Sequence, residues 1–122
     1  MTANDIFKRA LTLLGYVNGN GEISGYDELK KRCIATVNII YADLFYALGR
    51  EGFKMLDNSL ENVELPERVL NDVMPYGVAM LISQSENDAD SQQLYASIYN
   101  KKRASVRAAK SVEDVLPKGS DY

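Results

Sequence analysis

The sequence predicts an all-α fold: four helices with a long central one, a third interrupted by proline, and an extended C-terminal tail. Two observations carry the prediction. Apolar residues recur at three- and four-residue steps in four separate segments, the spacing that gathers side chains on one face of a helix. Helix-stopping and helix-capping residues stand at the segment borders, at Gly15, Ser24, Gly49, Pro66, Pro75 and Asp88. A chain of 122 residues suits one domain with a single modest core. We divide it into a helical body over residues 1–110 and a tail over 111–122.

The first helix is expected from about Asn4 to Leu14, capped by Thr2 or Asn4. Ile6, Phe7, Ala10, Leu11, Leu13 and Leu14 share one face, and Gly15 supplies the stop. After the linker YVNGNGEIS, Ser24 can cap a second helix with Asp27 and Glu28 at its positive end. Tyr26, Leu29, Cys33, Val37, Ile40, Leu44 and Leu48 form its stripe, and Ile39, Tyr41, Phe45 and Tyr46 add apolar groups on other faces. A helix apolar nearly all round is buried on several sides, so the segment 25–48 is expected to be the central and most buried element. Gly49 ends it. Residues 50–64 lack helical periodicity, and their DNS triplet reads as a turn, so a loop or short hairpin is expected.

Leu65-Pro66 opens the third helix, since proline is tolerated at the first helical position. Pro75 interrupts it: proline cannot donate to Asn71 and disfavours helical geometry at Met74. A kink or a fresh start follows at Pro75, and Gly77 lets a neighbouring backbone pack closely at the bend. The fourth helix starts near Asp88 or Asp90, both good caps, with a stripe of Leu94, Tyr95, Ile98, Tyr99, Lys102, Val106 and Ala109. Arg103, Arg107 and Lys110 form a separate flank. The closing SVEDVLPKGSDY has no usable period and reads as a tail.

Composition removes several functions. There is no histidine, so the commonest general base and metal ligand are missing, and one cysteine without histidine cannot assemble a zinc site of the usual kind. Cys33, among Ile34, Val37 and Ile40, reads as a buried core thiol. No apolar run approaches the roughly eighteen residues of a membrane span. The N-terminus has neither a basic start nor a small-residue cleavage site, which reads as mature protein of cytoplasmic origin. Charge is uneven: residues 1–100 hold 8 basic and 14 acidic side chains, and residues 101–122 hold 6 basic and 3 acidic. That is an acidic body with a basic end, not the basic whole of a dedicated nucleic-acid binder.

Three stretches invite chemistry. Glu86, Asp88 and Asp90 alternate like the opening of a calcium loop, but the sixth and twelfth places hold Ser91 and Ser97 where glycine and glutamate are required. They read as a helix stop followed by a helix start. Gly19, Gly21 and Gly25 lack the spacing and the preceding strand of a dinucleotide fingerprint. The run KKRASVRAAK places Arg103, Arg107 and Lys110 together on a helix, where they serve the helix dipole or face a phosphate backbone or an acidic partner. No nucleophile has an identifiable base beside it, so catalysis, cofactor and metal are not expected.

The segment LPERVLNDVMPYGVAMLISQSENDADSQQLYASIYNKKRASV resembles the second half of the small helical head–tail connector (adaptor, or head-completion) proteins of tailed bacteriophages. The first half is similar as well, with a short helix ending in LTLLGY, a glycine-rich turn and a long helix; the likeness covers about residues 1–110. It implies a four-helix connector-type domain and a ring of identical subunits, a dodecamer, docked beneath the portal protein in the virion neck. Such a ring extends the channel for packaged DNA without reading its sequence and offers a platform for the next neck or tail protein. It also implies a portal contact within residues 107–122, through Val112, Val115, Leu116 and Tyr122. The flank of Arg103, Arg107 and Lys110 would then face the DNA channel or a neighbouring subunit. The rival reading is a small nucleic-acid-binding regulatory protein, which the acidic balance and the lack of a base-reading face oppose. A third is the accessory subunit of an enzyme.

Overall fold

The computed structural model describes residues 1–16, 22 and 26–115, with side chains given as far as Val106 (Tyr26 excepted). Among these the chain is all-α, with no strand and a single isolated bridge between Thr2 and Asn62. Six α-helices follow in order: α1 Ala3–Leu13, α2 Tyr26–Leu29, α3 Cys33–Ala47, α4 Glu67–Asp72, α5 Met74–Ser85 and α6 Ala89–Val115. A 3₁₀ turn, Lys30–Arg32, joins α2 to α3. The second and third expected helices are thus each divided in two.

Thr2, not Asn4, caps α1. Its hydroxyl accepts from the Asp5 amide at 3.1 Å and its own amide donates to the Asp5 carboxylate at 3.0 Å, a reciprocal capping box. The loop 57–63 completes the cap, because the amides of Ala3 and Asn4, unpaired within the helix, donate to the carbonyls of Glu61 and Ser59. The segment read as a loop or short hairpin is therefore a strap across the N-terminus of α1. It is fastened to α3 by Asn38, whose buried amide donates to the Leu56 carbonyl at 3.0 Å and accepts the Leu56 amide at 2.9 Å. Leu56, Val63 and Leu65 are buried beneath it.

Gly15 and Gly49 stop α1 and α3 as expected, and by one mechanism. Each stands at positive φ, 78° and 76°, a conformation that costs a residue with a Cβ. The amides of Gly15 and Tyr16 donate back to Thr12 and Leu11, and those of Gly49 and Arg50 to Tyr46 and Phe45, closing a Schellman motif each time. Ser24, the cap expected for the second helix, lies outside the described residues.

Pro66 precedes α4 as its cap residue instead of occupying its first turn. The break falls at Val73 (φ −115°, ψ −53°), and Pro75 is the second residue of α5, where its missing amide hydrogen leaves no helical bond unmade. Met74, next to the proline, is helical after all. Seven of the twelve residues of α5 are buried, and it packs against α1, α3, α4 and α6. This corrects the expectation for 25–48: the central helix is α5. Both α3 and α5 are rich in apolar residues, but the outward side of α3 meets solvent, with Ile39 57% and Tyr46 56% exposed.

α6 also differs from expectation at its end. It continues through Val115, past the boundary at residue 110, so residues 111–115 of the expected tail are helical. The first breaker after Asp88 is Pro117, and proline disfavours the helix at the residue before it, so SVEDV continues the helix. Leu116 and Tyr122 lie outside the described residues.

Candidate functional site

The turn between α5 and α6 resolves the acidic cluster. Asn87 adopts positive φ, 58°, and the amides of Asn87 and Asp88 donate back to Gln84 and Ser83, the same Schellman closure with asparagine in glycine's place. Asp88 then caps α6 at once, its carboxylate accepting the Ser91 amide at 3.1 Å. The bonds from Ser91 hold the Asp88 carboxyl below its ordinary range. Asp90 sits in the first turn of α6, and Glu86 pairs with Arg32 across to the 3₁₀ turn. Each of the three acids has a structural place, and among the described residues no cluster of three or more metal-ligating side chains occurs.

Gly77 marks the point where three helices meet. A Cβ there would lie 2.7 Å from the Tyr99 ring and 2.9 Å from Ile40, so the bare backbone is what admits both. Tyr99 is 3% exposed, and its hydroxyl donates to Asp43 at 2.6 Å. Arg103, one turn on, grips the same carboxylate with two bonds, Nε at 2.6 Å and Nη2 at 2.8 Å. Burial, then the hydrogen bond to Asp43, push the Tyr99 hydroxyl far above its ordinary pKa, and the bond to Asp43 raises that of Arg103. Arg103 of the expected basic flank is therefore engaged within the fold. Lys102 is held by Asp72 at 2.8 Å, over the Tyr76 ring.

Ile40 lies beside Tyr99 at Gly77, and Asp43 meets Arg103 one turn later on both helices. α3 and α6 thus run in the same direction. α3 ends at Ala47, one turn past Asp43, whereas α6 spans 27 residues, about 40 Å. Arg107 stands level with the end of α3, and the final stretch to Val115, bearing Lys110 and Val112, runs past it. Arg107 and Lys110 occupy the same line of α6 as Arg103.

The outward side of α3 is an exposed apolar face. Ala35, Ile39, Ala42 and Tyr46 lie along one line of the helix, and Asp43 is the only charged residue between 33 and 47. Phe53 packs edge-on to Tyr41 at 5.0 Å and lies 6.1 Å from Tyr46, while Leu56 is pinned to Asn38. Residues 53–56 therefore run back along α3, and Met55 between them is 62% exposed. Elsewhere an open groove of about 550 Å³ between α1 and α4 is lined by Asp5, Lys8, Arg9, Glu67 and Asn71, exposed side chains of both signs.

Sequence reasoning missed Asp43, Asn38 and Asn87. Asp43 had a visible signal, a single carboxylate in an otherwise uncharged helix. Comparison of the chain with protein-family models, curated proteins and solved structures gave no match.

Proposed function

We propose that this chain is a structural subunit of a tailed-bacteriophage neck, a connector that forms a ring between portal and tail and acts by binding, not catalysis. The observation that carries the reading is the resemblance of the segment from LPERV to KKRASV to the connector proteins. Two features of the fold support it. The acids that could have formed a site are used to stop, cap and tie helices, which is the chemistry of a scaffold. An uncharged helix face and a helix that overruns the body are surfaces of the kind that assembly covers.

In this reading the body is a four-helix connector-type domain whose long elements are residues 26–47 and α6. Its partners are further copies of itself (a dodecamer), the portal protein, the next neck or tail protein, and packaged DNA sliding through the channel. Val112, Val115, Leu116 and Tyr122 make the portal contact. DNA contact through Arg107 and Lys110 is sequence-blind and falls steeply with salt. The test is capture on the purified portal protein encoded in the same genome. Full-length chain binds; deletion of 111–122 leaves the circular dichroism spectrum helical and weakens capture at least tenfold. Absence of capture by the full-length chain, or tight binding of one DNA sequence at high salt, would contradict the reading.

A further inference from the structure

We infer that the outward face of α3 docks against the same face of a second copy of the chain, antiparallel about a two-fold axis. Three observations select that occupant. The first is the order of sizes along the face. Ala35, Ile39, Ala42 and Tyr46 are spaced by four, three and four residues, a seam of about 16 Å of the kind along which one helix accepts another. That spacing reads the same from either end. With a second copy antiparallel, Ala35 meets the partner's Tyr46 and Ile39 meets the partner's Ala42, and the two-fold repeats both pairs. Every large side chain then faces an alanine. A parallel pair would set isoleucine on isoleucine and tyrosine on tyrosine, and would leave each alanine facing another. The antiparallel register also overlaps the helices from end to end: its two-fold passes between residues 40 and 41, and α3 runs from Cys33 to Ala47.

The second observation is what the face leaves uncovered. Ile39 and Tyr46 are more than half exposed, Ala35 is exposed and Ala42 is partly so. The other polar side chains of α3 are already occupied. Thr36 and Asn38 are buried and bonded within the chain, and Asp43 is taken by Tyr99 and Arg103. The Tyr46 hydroxyl stands at the end of the seam, where it keeps its water. The face can therefore meet its own copy without stranding a polar group or opposing like charges.

The third is the surroundings. Phe53 lies beside Tyr46 and Leu56 is bonded to Asn38, so the exposed Met55 stands near the middle of α3. A two-fold of this kind keeps each flank on its own side, which brings the two Met55 side chains together beside the seam. The ends are balanced in charge. Lys30, Lys31 and Arg32 are paired with Asp27, Glu28 and Glu86, and residues 50–57 hold Arg50 and Lys54 against Glu51 and Asp57. Antiparallel helices also set the positive end of each dipole beside the negative end of the other. A two-fold contact closes at two copies, whereas a ring joins different surfaces head-to-tail. The pair is thus a form of the free chain separate from the ring, and it does not rest on the connector reading. Its short seam places it among the weak contacts that form at high concentration.

The alternation of sizes supplies the test. In sedimentation equilibrium over a series reaching about 1 mM, the range of weak specific association, wild type passes from one chain to two, and high salt leaves the pair intact. Ala42→Ile makes the face more apolar but sets isoleucine against isoleucine, and weakens pairing about tenfold or more. Ile39→Ala with Ala42→Ile exchanges the sizes across the two-fold and restores it. Melting curves verify each fold. Crosslinking adds a reading that needs no repacking. Under oxidation by a copper–phenanthroline reagent, a mixture of Ala35→Cys and Tyr46→Cys chains forms a mixed disulfide. Either variant alone stays single, because its two new thiols lie about 16 Å apart along the seam. Wild type, whose Cys33 is buried, is the blank. A wild type that stays a single chain, tighter pairing of Ala42→Ile, dissociation by salt, absence of the mixed crosslink, or crosslinking of Ala35→Cys with itself each overturns the inference.

Discussion

Gly77→Ala sets two physical effects against each other. Alanine is the better helix former, and in an exposed helix the change would stabilise by about 1 kcal/mol. At Gly77 the added methyl would lie 2.7 Å from Tyr99 Cε1 and 2.9 Å from Ile40 Cγ2. Neither neighbour yields readily. Ile40 is 2% exposed inside α3, and the Tyr99 ring is tethered through its hydroxyl to Asp43, which Arg103 holds from the other side. Overpacking of a rigid site costs up to about 3 kcal/mol, so with about 1 kcal/mol returned by helix propensity the variant should lose about 2 kcal/mol net. Urea unfolding reads this as a lower midpoint at unchanged slope. A cycle with Tyr99→Phe adds a second criterion, because a ring released from Asp43 can tilt, and Gly77→Ala should then cost less by about 0.5 kcal/mol or more. A Gly77→Ala protein as stable as wild type, or additive effects in the cycle, would refute the three-helix junction as described.

Three further outcomes are expected. Asn38→Ala strands the buried amide and carbonyl of Leu56, at about 1–3 kcal/mol for each group left unpaired, and should speed hydrogen exchange at Leu56; unchanged exchange would mean that the strap is held by other bonds. Thr2→Ala removes the hydroxyl half of the capping box, a loss of about 1 kcal/mol. The bonds from Thr2 hold the Asp5 carboxyl below its ordinary 3.8, so the stability it contributes is present above 3.8 and lost as pH falls through the lower folded value. The stability of wild type should therefore fall further in acid than that of Asp5→Asn, and an equal pH dependence of the two would contradict the assignment. Burial raises the Cys33 thiol to about 11, so a thiol reagent at neutral pH should label it only as fast as the chain opens; rapid labelling of the folded protein would place Cys33 outside the core.

Punctuation in the sequence proved more informative than periodicity. Gly15 and Gly49 stop helices because positive φ is cheapest without a Cβ, and that reason is local enough to read from one residue. Asn87 performs the same task, yet among Glu86, Asp88 and Asp90 it was hidden by its charged neighbours. Periodicity places apolar stripes but does not say what covers them. α3 is the more apolar of the two in sequence, and only the tertiary arrangement shows α5 enclosed and one side of α3 open. The engagement of Arg103 was unreadable for a related reason. Spacing put it in line with Arg107 and Lys110, but its partner Asp43 lies sixty residues away, on a helix whose direction relative to α6 no local pattern records. The double bond of Asn38 to Leu56 is a tertiary feature of the same kind.

The most direct test of the connector reading is an image of the chain bound to the portal protein encoded in the same genome, by cryo-electron microscopy with averaging along the channel axis. The account predicts a closed ring of identical copies coaxial with the portal, with the C-terminal end of α6 directed at the portal and the channel continued through the ring. Isolated copies scattered on the portal, or a chain that leaves the portal bare and binds a defined DNA sequence as a dimer, would contradict it.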